Sequence, residues 1–442
     1  MRTYRELLRQ PEFTPLFLVA SVRSAAQTVS GLALGVLVHS ATGSPLLTSL
    51  AMFGPSLAQL VGATTLLSAA DRVPPRAALT GIWLLFAVAT AVQAIPGLPV
   101  GASFAVLFTL GMFASLGGGV TYGMLHEILP RDGFLIGRSV LNMSNGATQI
   151  LGFATGGLLV ALLSPRVTLL VGAGMYLAAA GIARFGLSRR PARARGRASV
   201  TATWRTNGVL WSSKPRRHVY LMLCVPNGLI VGCESLYVPY EPDRAGLLFA
   251  SAASGMLVGD TLVGRFVPAR WRARGGPVLR LLLAAPYLVF FLGPPLGVAV
   301  GVVFVASVGF AATLLLQERL LALTPDELSG HALGLHGSAM LAMQGVGAAL
   351  AGAVAQLVPV GAAMGVMAGL SVLVTLGLER GVRRAPAGEA GAGASGASGA
   401  SGAGGAGEVS ASGPDAGEGP ASAPGAGEAS ASGVRAGEAG PG

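Results

Sequence analysis

Apolar stretches long enough to cross a bilayer as a helix, about 20 residues each, recur along this chain. They lie near residues 14–38, 46–69, 77–95, 101–124, 139–163 and 167–186. After a polar interval they return near 219–240, 247–267, 277–293, 296–316, 332–357 and 360–378. The pattern predicts an all-α integral membrane protein with about twelve transmembrane helices. The ninth and tenth are separated only by the turn Gly293-Pro294-Pro295. Between the second and third lies Leu66 to Gly81, which holds Asp71, Arg72, Pro74, Pro75 and Arg76. The proline pair stops a helix there, so this charged stretch reads as a tight turn at one membrane face.

Composition agrees. The 442 residues are 52% hydrophobic and 11% charged, against about 25% charged in a soluble domain. The net charge of +11 joins two unlike regions. Residues 1–385 hold 29 Arg/Lys against 13 Asp/Glu, whereas 386–442 hold Arg435 against six acidic residues. The arginines sit between apolar runs, so they mark membrane topology rather than a nucleic-acid surface. With the N-terminus inside, the inner side collects Arg2, Arg5, Arg9, Arg72, Arg76, Arg131, Arg138 and the basic loop 187–218, and the outer side holds only Arg166 and Arg244. This predicts a multi-pass protein of the cell membrane with both termini cytoplasmic. The first apolar run is too long for a signal-peptide core and reads as the first membrane helix. Cys224 and Cys233, nine residues apart, face opposite sides of a helix and are not expected to bridge.

Four regions follow: a six-helix half over 1–186, a basic cytoplasmic linker over 187–218, a second six-helix half over 219–385, and a tail over 386–442. The linker is either a helix lying on the anionic inner leaflet, with Trp204 and Trp211 on one face, or an unstructured basic connector. The tail, built of Gly, Ala, Ser, Pro and Glu, lacks the apolar residues to fold and is expected to be disordered. The halves share a repeat. Gln149-x-x-Gly152-x-x-x-x-Gly157 returns 195 residues later as Gln344-x-x-Gly347-x-x-x-x-Gly352, and Leu60-Val61-Gly62 returns 197 residues later as Leu257-Val258-Gly259. Parallel repeats of six helices around a central site are a transporter architecture.

These residues resemble the major facilitator superfamily, and within it the bacterial drug and macrolide-efflux-like branch, over roughly residues 5–380. Three segments carry the resemblance. One is Thr42-Gly43-Ser44-Pro45, leading into the second helix. Another is Asp71-Arg72-x-x-x-Arg76, similar to the family's Gly-x-x-x-Asp-Arg-x-Gly-Arg-Arg but with Leu67, Pro74 and Pro75 at other motif positions. The third is Gly152-Phe153-Ala154-Thr155-Gly156-Gly157, similar to the antiporter motif Gly-Pro-x-x-Gly-Gly with Phe153 in place of proline. The resemblance implies that Asp71, Arg72 and Arg76 form a conformational latch against the eleventh helix, starting near Ser329. It also implies that the first, fourth, seventh and tenth helices line a central cavity. Gly152, Gly156, Gly157, Gly347 and Gly352 let helices approach closely.

Ionisable groups inside spans are costly and point to function. Arg23, Glu234 and Asp260 are therefore the candidate coupling or cavity residues. Arg23 and Asp260 fall at similar depth and either pair or stay apart, Arg23 then reaching for the inner surface. Glu234 is either a group that exchanges a proton during transport or a carboxylate in water at the outer face. Other chemistry is thinly supported. A phosphate-binding Gly-x-x-x-x-Gly-Lys is absent, His126-Glu127 lacks a zinc-protease continuation, and His331 and His336 are badly spaced for one metal. The expectation is a secondary transporter, not an enzyme, without cofactor, metal or nucleic acid. It would export a small hydrophobic or amphipathic molecule in exchange for protons, as a monomer in the lipid bilayer. A uniporter or importer on the same plan, a scaffold, or a membrane-embedded enzyme are the other readings.

Overall fold

The computed structural model describes residues 6–7, 10–65, 73–129, 131–192, 200–325 and 328–383. Asp71, Arg72 and the whole of 386–442 lie outside the described residues.

Each of the twelve apolar stretches is helical among the described residues. In order the helices run Phe13–Thr42, Pro45–Phe53 continuing as Pro55–Thr65, Pro75–Gln93, Val100–Ile128, Arg131–Leu162 and Pro165–Gly186. The second half has Lys214–Ser235, Ala245–Thr261, Ala269–Ala284, Leu296–Val308 continuing as Ala312–Ala322, Ser329–Val354 and Val360–Arg383. Eleven of these spans are long and apolar enough to cross a membrane, and the ninth, Gly276–Leu292, is a shorter apolar helix.

Local chemistry sets the boundaries. Pro45, Pro75 and Pro165 each occupy the first turn of a helix, where no N–H is needed. Ser44 and Ser164 cap theirs by accepting from Leu47 N and Val167 N, both at 3.3 Å. Gly43 ends the first helix at φ 61°, a left-handed conformation that glycine adopts without a Cβ penalty. The Gly43-Ser44-Pro45 sequence thus stops one helix and starts the next within three residues.

Two expectations are corrected. The seventh helix begins at Lys214, inside the stretch assigned to the linker, because Pro215 in its first turn favours a helix start there. The ninth span is not one regular helix: it runs as α-helix to Ala284 and tightens into a 3-10 turn over Ala285–Leu292. The linker also contains a helix, Val200–Ser212. Its Leu210 is fully buried in a cluster with Tyr220, Leu320 and Ala332, and Trp211 stacks on Tyr220 at 5.8 Å. This helix docks on the second half through apolar side chains.

Helix packing repeats between the halves. The first helix packs along the fifth and sixth, and the seventh packs along the eleventh and twelfth. The third and sixth pair as do the ninth and twelfth, and the second and fourth pair as do the eighth and tenth. The halves meet along two seams, fifth helix on eighth and eleventh helix on second. Below, the near end is the one where the third helix starts at Pro75 and the seventh at Lys214, and the far end is the one carrying the turns at Gly43 and Ser164.

Candidate substrate cavity

Glycines make the seams, because a bare backbone lets helix axes come close. A Cβ on Gly157 would lie 3.0 Å from the Cα of Gly246 in the eighth helix, and a Cβ on Gly352 would lie 2.6 Å from the Cα of Leu46 in the second. The repeat's other glycines pack inside each half: Gly152 on Thr28 and Gly156 on Val29 of the first helix, Gly347 on Gly228 of the seventh. Equivalent glycines therefore do equivalent work, one joining a half internally and one closing a seam. Polar contacts reinforce the far end. Gln356 Nε2 donates to Ser44 Oγ at 3.0 Å, and Ser235 Oγ donates to Ser49 Oγ at 3.0 Å. One turn inside the Gly157 crossing, the Phe153 ring stacks on Phe249 with centroids 4.7 Å apart, and Phe249 meets Tyr237 edge-on at 4.8 Å.

Beneath this closed far end is a cavity of about 580 Å³, lined mainly by the first six helices, with Phe249 and Gln344 from the second half. Gln149 and Gln344, equivalent residues of the repeat, both line it. The first helix presents Ala20, Arg23, Ser24, Gln27 and Gly31 to the space, a single face at helical spacing. Arg23 stands ten residues past Phe13, about 15 Å along the axis. Its Nη1 donates to Gln27 Oε1 at 3.0 Å, and its guanidinium lies 5.5 Å from the centre of the Trp83 ring. Trp83 in turn stacks against Tyr176 at 6.3 Å with 12° between planes and meets Phe86 edge-on at 5.5 Å. Ser24 Oγ donates to Asn145 Oδ1 at 2.6 Å, tying the first helix to the fifth. Toward the near end, Tyr122 donates to Asn142 Oδ1 at 3.1 Å, and the exposed Arg138 lies 5.7 Å from the Tyr122 ring centre.

The three ionisable candidates separate. Arg23 lines the cavity; Glu234 and Asp260 do not. Among the described residues no ion pair joins Arg23 to Asp260, which is exposed in the last turn of the eighth helix. Glu234 lies near the end of the seventh helix, 7% exposed, and its Oε1 is buried without a hydrogen-bond partner. The seventh helix is so thoroughly enclosed that its far end turns into the second half's packed interior. There the Tyr237 and Tyr287 hydroxyls bond each other within electrostatic reach of Glu234. Of the expected latch, Arg76 is half-buried in the first turn of the third helix, and its partners Asp71 and Arg72 lie outside the described residues.

Several contacts escape sequence reasoning. The Trp83–Tyr176–Phe86 platform joins helices that neighbour each other only in space. Arg190 bridges Glu12 at 2.9 Å and Glu127 at 3.1 Å, clamping the first and fourth helices at the near end. Arg280 pairs with Glu379 at 2.6 Å between the ninth and twelfth. An arginine inside an apolar run and a glutamate at the end of another were the available signal for that last pair.

A search of curated proteins with the sequence finds no match. Solved structures do match in fold. One is a bacterial homologue of the human lysosomal transporter Spinster in an inward-facing, unoccupied conformation. It aligns at TM-score 0.65 and 13% identity, covering 87% of this chain and 98% of that one. Another, a POT family transporter in complex with 5-aminolevulinic acid, aligns at TM-score 0.66 and 10% identity, covering 83% and 95%. A third, a peptide transporter POT in complex with sulfate, aligns at 0.65 and 14%, covering 84% and 95%. At such identities the likeness speaks to the fold. The Major Facilitator Superfamily profile matches residues 16–317, well over half of the chain, and this polytopic membrane protein belongs to that superfamily of transporters.

Proposed function

We propose that the chain is a secondary active transporter that moves a small amphipathic molecule by alternating access, exporting it from the cytoplasm in exchange for protons. The observation that carries the reading is a cavity in the first half, closed on one side by Phe249 and Gln344 of the second, lined by both amides and aromatic rings, beneath a far end closed by glycine seams. Such seams can part and re-form as rigid halves rock about the site. Export, and membership of the drug and macrolide-efflux-like branch, rest on the Thr42–Pro45 and Gly152–Gly157 segments. The arginine distribution supports a cytoplasmic near end, so that the cavity beneath the closed far end would load from inside. Glu234 is the proposed proton carrier: a carboxyl buried beside Tyr237, at the end of the aromatic contacts that lead from the Phe153–Phe249 seam, is placed to make far-end packing depend on its proton.

The test is flux in proteoliposomes holding the purified full chain, with neutral, cationic and anionic aromatic solutes, with and without an imposed proton gradient of either sign. Gradient-driven accumulation of at least one solute, abolished by an uncoupler, is the expected result. Transport unaffected by the gradient points to a uniporter, and accumulation along the proton gradient points to an importer. No flux of any solute contradicts the proposal.

A further inference from the structure

We propose that the cavity takes an organic anion: a small aromatic or otherwise amphipathic acid whose carboxylate is held by Arg23. This deepens the transporter reading and rests on it.

The first argument is charge. Among the described residues lining the cavity, Arg23 is the single charged one, and no Asp, Glu, Lys or His accompanies it. A guanidinium some 15 Å inside a membrane helix is costly to place. Among the described residues its hydrogen bond goes to one amide oxygen and its cation–π contact to one ring face. Arginine carries five N–H donors, so most of them are left to the cavity. A further cation, Arg138, lies over the lining residue Tyr122 and adds positive field along that side. A site built for a cationic solute would place a carboxylate where this one places a guanidinium.

The second argument is hydrogen-bond polarity. Two amide acceptors of the lining on the first and fifth helices are already used, Gln27 Oε1 by Arg23 itself and Asn145 Oδ1 by Ser24, and the unpartnered Gln93 Oε1 lies ten residues along the third helix from Trp83. What Gln27 and Asn145 have left are NH2 donors. The Trp83 indole N–H is buried without a partner in the same lining. Guanidinium and two amide NH2 groups make a donor-rich patch, and an ionised carboxylate is an acceptor-only group that complements it. The third argument is shape. The patch borders the Trp83, Phe86 and Tyr176 rings, and about 580 Å³ accommodates a drug-sized molecule. Gln27 and Trp83 act here as positioning residues that fix the guanidinium plane.

The test is a binding titration with the purified full chain. The probes are naphthylacetate, indoleacetate and phenylbutyrate, each compared with its primary amide and the matching amine. At least one acid should bind more tightly than its amide and its amine. Arg23→Gln should weaken that acid about ten- to hundredfold, the worth of a charge-assisted hydrogen bond, while the amide changes by about twofold or less. Arg23→Lys should retain part of the preference, because the charge remains and the planar fork is lost. Gly118→Phe places a ring in the cavity, at a lining position where an added Cβ meets open space, and should abolish binding of every probe. The proposal is overturned if no acid binds, if an amine or amide binds as well as its acid, or if Arg23→Gln leaves acid binding intact. An amide or amine lost only in Gly118→Phe would sink the anion assignment and leave the transporter reading standing. Binding indifferent to both substitutions would sink the two together.

Discussion

The two halves repeat one another in packing and differ in chemistry. The first helix and its counterpart, the seventh, each pack along the last two helices of their own half. Yet the first turns a polar face with Arg23 to the cavity, whereas 89% of the seventh's apolar stretch is buried against protein. Polar groups near the far end diverge in the same way. At the repeat offset Glu234 corresponds to His39, whose Nδ1 bonds Thr48 Oγ1 at 3.2 Å, while Glu234 Oε1 has no such partner. The duplicated frame supplies symmetric seams, and symmetry ends where function begins. In the proposed account one half reads the solute and the other carries the proton.

The largest test of that division is Glu234→Gln. Gradient-driven flux should fall about a hundredfold, at the lower end of what one general acid–base group contributes, while solute exchange without a gradient persists. Equal loss of both would assign Glu234 to folding. Next come the ion pairs of the two halves. Arg280 and Glu379 have side chains 9% and 14% exposed, so Arg280→Met removes a short ion pair from a nearly buried carboxylate and should cost about 3 kcal/mol. Thermal melting should show the loss, and the double replacement of both partners by Met should recover most of it. Gly157→Leu overpacks the seam against Gly246 and should cost about 1–3 kcal/mol. The substitution should also make a cysteine at Phe249 reactive to a reagent added at the far side. The smallest effect is expected at Arg190, whose pairs are about a quarter exposed. Arg190→Ala should change stability by about 1 kcal/mol or less, and that change should shrink further in high salt.

Much of the frame was legible because span length, arginine asymmetry and glycine repeats are local or strictly periodic signals. Gln149 and Gln344 were found by their offset, and the structure brings both to one cavity. Arg23 could be named as a candidate because charge inside a span is costly wherever it points. The direction in which Glu234 faces was not legible. It depends on how far the seventh helix sinks into its half, a tertiary property set by small residues such as Gly228 against Gly347. The Trp83–Tyr176 platform was hidden for the same reason: rings 93 residues apart meet only through packing of the third helix on the sixth. The ninth span looked like an ordinary helix in the hydrophobic pattern, yet Pro286 falls where its α-helix gives way to a 3-10 turn.

The most direct test of alternating access needs no solute. Spin labels at Ser44 and Gln356, side chains that touch across the far end here, report one seam; labels at Arg138 and Arg265 report the near end. In nanodiscs at acid and alkaline pH, the account predicts two populations at each end. The short far-end distance should accompany the long near-end distance, the reverse should hold for the other population, and Glu234→Gln should remove the pH response. A single invariant distance at both ends under all conditions would contradict it.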